Sequence, residues 1–183
     1  MKNYAGKTLK MISKPIACCR LCGSSDLDPI LDLGLQPPAN SIRANLDQHL
    51  DSVPLAICRC RICTTVQLTE TVSPEYLFRD YVWVTGTSKT AQVYSQIFFE
   101  NIIQRCYQEK LFIVEVASND GTFLKRFHEQ RHRVLGVDPA QNLASVAEAA
   151  GIPTLPEFFG LKTAQSVTQV HGYADVVIAR NVL

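Results

Sequence analysis

An excess of charge of either sign is missing from these 183 residues: 18 Lys and Arg stand against 17 Asp and Glu, a formal net charge of +1. Such a balance builds no field to hold nucleic acid or an anionic membrane surface, and neither partner is expected. Long apolar runs are missing too. None approaches the ~18 residues a transmembrane helix needs, so no membrane span is expected. The stretch from Met1 to Cys19 carries scattered lysines without a continuous apolar core, and does not read as a secretory signal. There is no low-complexity stretch, and no internal repeat beyond two cysteine pairs.

What the chain does have is cysteine: seven, an odd number, four of them in two Cys-x-x-Cys pairs. Without a secretory signal the expected compartment is the reducing cytosol, where disulfides rarely persist. The pairs are Cys19-Arg20-Leu21-Cys22, followed by Gly23, and Cys60-Arg61-Ile62-Cys63. Two tight turns that each present two thiolates supply the tetrahedron zinc requires, so Cys19, Cys22, Cys60 and Cys63 are the candidate ligands. Gly23 suits such a turn because glycine tolerates a left-handed backbone. Four thiolates leave no open position, which points to a structural metal. Free thiols or a redox pair are the competing readings. Cys18 and Cys58 compete as ligands but give wider spacings, and Cys106 reads as a packed thiol in a helix.

Three regions follow. Residues 1–75 are irregular and proline-containing, with short strand-like runs at Pro54–Ile57 and Thr64–Leu68 and an extended or turning Gly34–Pro38. They read as a small zinc-binding domain with too little core to fold alone. Residues 76–110 form a connecting helical segment. A helix starts at Ser73-Pro74-Glu75, and another runs from Ser88 to Lys110 with Val93, Ile97, Phe98, Ile102 and Tyr107 at helical period. From 111 to 183 the pattern alternates. Strands are predicted at Leu111–Ala117, Arg133–Val137, Ile152–Leu155 and Ala174–Ala179, and helices at Asp120–Gln130, Asn142–Ala150 and Phe158–Val170. The fold class is α/β, a Rossmann-like parallel sheet with right-handed crossovers. Ending on an apolar strand would leave a raw sheet edge, so the chain is expected to be the front part of a longer protein.

The turn after the first of these strands is where a doubly wound sheet binds its ligand. Here it reads Glu115-Val-Ala117-Ser-Asn119-Asp120-Gly121. The Gly-x-Gly-x-x-Gly of a dinucleotide site is absent, which disfavours a nicotinamide oxidoreductase. Carboxylates at Glu115 and Asp120 would repel a pyrophosphate but suit a cofactor bearing an ammonium and a sulfonium, as S-adenosylmethionine does. Asp138, closing the second strand, is placed to hydrogen-bond ribose hydroxyls. The plainer reading is that Asp120 and Asp138 cap helices.

The order of motifs resembles that of the sugar C-methyltransferases of deoxysugar pathways. It runs from Cys19–Gly23 through Leu33–Asn40, Cys60–Leu68 and Tyr81–Ser88. It continues through Glu115–Leu124, Gly136–Ala140 and Glu157–Phe159 to Asn181-Val182-Leu183. The resemblance implies a class I methyltransferase sheet behind the zinc-binding domain, with zinc on the four cysteines. Glu115, Ala117, Asn119 and Gly121 would line the methionine end of S-adenosylmethionine. Asp138 would hold the ribose, Glu157 and Phe158 would lie near the adenine, and Asn181 near the methyl group. Tyr81 is the one catalytic candidate, because Trp83 stands where the family commonly has a second tyrosine and indole is neither acid nor base. Packing or substrate stacking is the other reading of Tyr81. The implied reaction of the whole protein is C-methylation of a nucleotide-activated keto-deoxysugar. The family's later His/Glu-containing region is absent from this chain, so the chain alone is expected to be inactive. His49, His128, His132 and His171 match no catalytic position and read as surface or helix residues. A methyltransferase for another small molecule, or a stand-alone zinc module, are the alternatives. Oligomeric state is not legible.

Overall fold

The structure, a computed structural model, describes residues 12–43 and 45–182. Leu183 and the segment 1–11, part of the stretch read as lacking a signal, lie outside the described residues. The chain divides into two compact units after Leu77.

The first unit is built from short strands. β1 (Ser13–Pro15) pairs antiparallel with β5 (Glu70–Val72), and β2 (Leu27–Gln36), β3 (Val53–Cys60) and β4 (Val66–Leu68) form an antiparallel sheet in the order β2-β3-β4. β3 buries Val53, Cys58 and Cys60 while Arg59 faces solvent. Sequence reading treats this region as irregular, and β2 corrects it. Seven of its ten residues pair with β3, with register breaks between Pro29 and Leu31 and between Asp32 and Leu35. At the second break Gly34 adopts φ +69° and donates its N–H to Asp32 Oδ1 at 2.7 Å. That is a bulge only glycine enters cheaply. Of the two readings of Gly34–Pro38, extended or turning, the extended one holds as far as Gln36, with a bulge at Gly34, and the strand stops where Pro37 removes a donor. α1 (Pro74–Phe78) starts at the expected proline.

The second unit is the α/β sheet the alternation predicts. Its helices and strands are α2 (Lys89–Ile103), β6 (Phe112–Val116), α3 (Thr122–Glu129), β7 (Arg133–Val137), α4 (Gln141–Ala149), β8 (Thr154–Leu155), α5 (Leu161–His171) and β9 (Val176–Ala179). The four strands are parallel in the order β8-β7-β6-β9. Alternation along β6 and β7 splits the core between the two faces. Ile113 and Val134 pack with Leu124 and Phe127 of α3, Ala147 of α4 and Ile152. Phe98, Phe99 and Ile102 of α2 seal that side. Phe112, Val114, Leu135 and Val137 pack with Val167 of α5 on the other. β7 and β8 lie on one side of β6 and β9 on the other, so the order in which strands are added reverses between β6 and β9, the place where sheets of this kind bind ligands.

One expected element is too long. The helix read from Ser88 to Lys110 ends at Ile103. The N–H groups of Arg105 and Cys106 turn back to the carbonyls three residues earlier, at 3.0 and 3.1 Å, which tightens and closes the last turn. Tyr107, assigned to the apolar face, is fully exposed beyond it. Cys106 packs partly buried against the core, as expected, but beyond the end of the helix in which it was placed. Among the described residues no helix is long and apolar enough to cross a membrane.

Candidate metal centre and cofactor site

In the first unit the two Cys-x-x-Cys turns have the same hydrogen-bond pattern. The N–H of Gly23 reaches the carbonyl of Cys19, and the N–H of Thr64 reaches that of Cys60, both at 2.9 Å. The N–H of Cys19 meets the carbonyl of Ser24, and that of Cys60 the carbonyl of Thr65. Both turns need a left-handed residue after the second cysteine. Gly23 takes φ +76° and Thr64 takes +63°. A β-branched residue there is a genuine outlier, and Thr64 Oγ1 donates to the Cys63 carbonyl at 2.7 Å.

The turns bring four sulfurs together. The Sγ atoms of Cys19, Cys22, Cys60 and Cys63 all lie within 4.8 Å of one another, with Cys19–Cys63 and Cys22–Cys60 each at 3.6 Å. Zinc–sulfur bonds of about 2.3 Å at tetrahedral angles place sulfurs about 3.8 Å apart, so the cage is close to the size a zinc ion requires. Charge points the same way. The backbone N–H groups of Cys22 and Leu21 pull the Cys19 thiol down to about 6. Thr65, by side chain and backbone, pulls Cys63 down. The Ser24 N–H favours ionisation of Cys22 as well, yet the Cys63, Cys60 and Cys19 thiols around it push it up to about 12. The first thiols of such a cluster ionise readily and the last resists, until a divalent cation sits among them. Cys18 is exposed, and Cys58 is buried but outside the cluster.

The arginines inside the knuckles carry a role that sequence reading missed. Arg20 donates through its guanidinium to the carbonyls of Leu68 (2.7 Å) and Glu70 (3.0 Å) and to Thr71 Oγ1 (2.7 Å). Arg61 pairs with Asp28 and Asp26 at the start of β2. Each knuckle is thereby tied to the strands beside it. The Cys-Arg-x-Cys pattern was itself the available signal.

In the second unit the parallel registers set Val116 opposite both Val137 and Ala179. The residues that follow, Ala117, Asp138 and Arg180, therefore share one end of the sheet. The turn after β6 has left-handed backbone at Ala117 (φ 52°), Asn119 (φ 55°) and Gly121 (φ 76°). Such conformations favour glycine, yet alanine and asparagine hold two of the three places and only the third is glycine. Gly121 is also closely packed. A Cβ on Gly121 would stand 3.1 Å from Ile152.

Asp138 is 6% exposed and binds this turn. Its Oδ2 accepts the Asn119 N–H at 2.7 Å and its Oδ1 the Ala140 N–H at 2.8 Å. Asp120 accepts from Thr122 N–H and Oγ1 at the start of α3 and from the Gly86 N–H at 2.9 Å. The helix-cap role weighed for both aspartates is not what they play: Gly121 and Ala140 hold the N-cap positions without a side-chain cap bond, and each aspartate instead accepts the N–H two residues on and ties down a neighbouring loop. Asn119 bonds the Thr85 N–H (2.8 Å) and the Trp83 carbonyl (3.0 Å), so the Tyr81–Ser88 stretch runs along the turn. Asn142, not singled out in the sequence, grips the backbone of Tyr81 through both amide atoms, at 3.1 and 2.9 Å. Glu157 is exposed after β8, and Phe158 lies half-buried under the guanidinium of Arg79, 5.1 Å from its ring centre. Asn181 follows β9 with φ 57°.

Glu115 is wholly buried. Its Oε1 accepts from Arg180 Nη2 at 2.8 Å and Nε at 3.2 Å, and its Oε2 has no partner. Burial pushes its carboxyl up to about 7 against the opposing pull of Arg180, with Asp120 and Asp138 adding to the rise. A buried carboxylate oxygen with nothing to accept from is costly, and it fits a missing hydrogen-bond donor of positive charge. Among the histidines, His132 departs from expectation. It is half-buried in the loop before β7, its Nδ1 accepts the Leu111 N–H at 3.3 Å, and desolvation lowers its pKa.

A four-thiol cage in one unit, and in the other a parallel sheet that ends in an acidic turn, define a two-part protein: a metal-bearing domain joined to an α/β cofactor-type sheet. The comparisons agree. The family model Methyltransf_13, described as a putative zinc binding domain, matches residues 19–78. C-methyltransferase NovU of Streptomyces niveus is 30% identical over 172 residues, covering 92% of this chain. The chain spans 41% of that relative's length. Residues 19–78 are thus similar to a putative zinc-binding domain, and most of the chain is similar to part of a C-methyltransferase.

Proposed function

We propose that this chain is the zinc-bearing and cofactor-binding portion of an S-adenosylmethionine-dependent C-methyltransferase acting on a nucleotide-activated keto-deoxysugar. The observation that carries the reading is the turn from Glu115 to Gly121, acidic and left-handed at alternate residues, with a buried carboxylate oxygen awaiting a donor. When bound, S-adenosylmethionine supplies a methyl group on a sulfonium, open to attack by a carbanion. Glu115 would take the ammonium end, and Ala117, Asn119 and Gly121 would give the turn its shape. Asp138 keeps unused lone pairs on both oxygens for ribose hydroxyls. Glu157 and Phe158, after the end of β8, would lie near the adenine, and Asn181, after the end of β9, near the methyl group. Tyr81, held by Asn142, is the chain's candidate for contact with substrate. Holding the nucleophilic carbon in line with the methyl is itself a large part of such catalysis.

The cysteines would hold zinc in a structural role, since four thiolates close the coordination shell. Thiolates kept for zinc in this way would suit the reducing cytosol.

Calorimetry on zinc-loaded protein tests the reading. S-adenosylmethionine is expected to bind, with Asp138→Ala and Glu115→Ala each weakening it by at least about tenfold. That corresponds to the loss of about 1.4 kcal/mol, a normal value for one charge-assisted hydrogen bond. A folded, zinc-loaded chain that binds no S-adenosylmethionine would leave the stand-alone zinc module as the better account.

A further inference from the structure

The ion pair at the end of β6 has an unusual shape. Arginine normally meets a carboxylate with two parallel bonds, one to each oxygen. Here Nη2 and Nε of Arg180 both donate to Oε1 of Glu115, and Oε2 is left buried and bare. The guanidinium has little freedom to shift toward the second oxygen. Its central carbon lies 3.2 Å from the ring centre of Phe123 on α3 and 5.7 Å from that of Phe98 on α2. Those rings belong to the layer that covers this face of the sheet. A pair serving stability alone would use all its acceptors, because a half-satisfied buried carboxylate costs more than it returns.

We propose that Arg180 is a positioning residue for the cofactor: it grips one oxygen of the buried Glu115 carboxylate and presents the other to the ammonium group of S-adenosylmethionine. This rests on the cofactor reading above. The charged groups acting on Glu115 are Arg180, which favours ionisation, and Asp120 and Asp138, which oppose it together with burial. Without Arg180 the carboxyl would hold its proton at neutral pH and become a poor acceptor for a cation.

Two readouts on the full zinc-loaded chain test this, in the parent protein, Arg180→Met and Arg180→Lys. The first is carbon-detected NMR titration of the Glu115 carboxyl with no cofactor present. Its midpoint is expected to rise by more than about one pH unit in Arg180→Met and to return most of the way in Arg180→Lys. The second is calorimetry with S-adenosylmethionine and with adenosine, which lacks both cationic groups. In Arg180→Met the affinity for S-adenosylmethionine at pH 7.5 should fall about tenfold or more. Adenosine should bind within about twofold of the parent, since one lost charge contact leaves its site intact.

An unchanged Glu115 midpoint in Arg180→Met overturns the inference whatever the cofactor does. So does an equal loss of adenosine and S-adenosylmethionine, the sign of mere structural damage. A shifted midpoint in a parent protein that binds no S-adenosylmethionine overturns the cofactor reading instead, and the positioning role with it. Arg180→Lys keeps the charge on a similar stem, so the comparison survives if the methionine variant loses structure.

Discussion

The two units keep themselves folded by different means. In the second, the buried apolar residues form two contiguous clusters on opposite faces of a sheet, from Ile113, Leu124 and Phe127 on one side to Phe112, Val114 and Val167 on the other. In the first, the buried apolar side chains among the described residues amount to Cys19, Pro38, Val53, Cys58 and Cys60, while Ile30, Leu31, Leu33 and Leu35 along β2 are about half or more exposed. Two of those five buried residues are candidate metal ligands. The first unit ends at Leu77, and at that size a thin core needs a staple. The difference teaches where to look for each unit's weak point: the metal in one, the buried, half-partnered carboxylate of Glu115 in the other.

The largest expected effect breaks the comparison outright. Structural zinc contributes on the order of 10 kcal/mol or more to small domains that bind it. Chelation, or Cys60→Ser, should therefore unfold the first unit while the second keeps its protected amides at Ile113, Leu124 and Phe127. Hydrogen exchange followed residue by residue checks this. If both units lose protection together, they are one cooperative body and the contrast fails. If neither does, the cage is not what holds the first unit.

Next comes pH, where the units should respond with opposite signs. Zinc must displace protons from its thiols, so the first unit loses stability as pH falls. Glu115 works the other way. Its folded-state midpoint is raised from 4.5 to about 7. Between those values the native state holds a proton that the unfolded chain has released. Unfolding therefore becomes easier as pH rises through that window. The contribution is at most about 3 kcal/mol, since each tenfold change in proton affinity is worth about 1.4 kcal/mol. Amide exchange of the second unit at pH 5 and pH 7.5 should show this loss, and Glu115→Gln should flatten it. A second unit that gains stability over that range would mean that Glu115 is not the governing group.

How legible this was from sequence follows from the same contrast. The sheet unit was readable because apolar periodicity is strong in buried parallel strands. Arg133–Val137 falls where the pattern put it, and the other elements shift by only a few residues at their ends. The helix before it was overextended because Tyr107 sat at helical spacing by coincidence, and spacing does not report burial. β2 was missed because its apolar residues face solvent and its bulge at Gly34 resembles a turn. The cysteine cage was legible because metal ligation imposes spacing on sequence. Arg180, Asn142 and Arg79 were not legible, because what they do depends on strand register and on loops that meet across 65, 61 and 77 residues of chain. Arg180 becomes visible only when β9 is laid beside β6.

The smallest predicted effect compares the two knuckles with each other. They share backbone geometry but not the residue at the left-handed position, Gly23 in one and Thr64 in the other. A Cβ at Gly23 would meet nothing within 4 Å, so Gly23→Ala tests backbone strain alone. It should cost about 1–2 kcal/mol. Thr64 already bears that strain, offset in part by its hydroxyl bond to the Cys63 carbonyl. Thr64→Asn keeps a polar side chain and relaxes the backbone, since asparagine visits this region readily. A gain of up to about 1 kcal/mol is expected. Competition with a zinc chelator reads both changes. Were Thr64→Asn to release zinc more easily than the parent, the hydroxyl bond would outweigh the strain. The second knuckle would then be held by a side-chain device that the first does without.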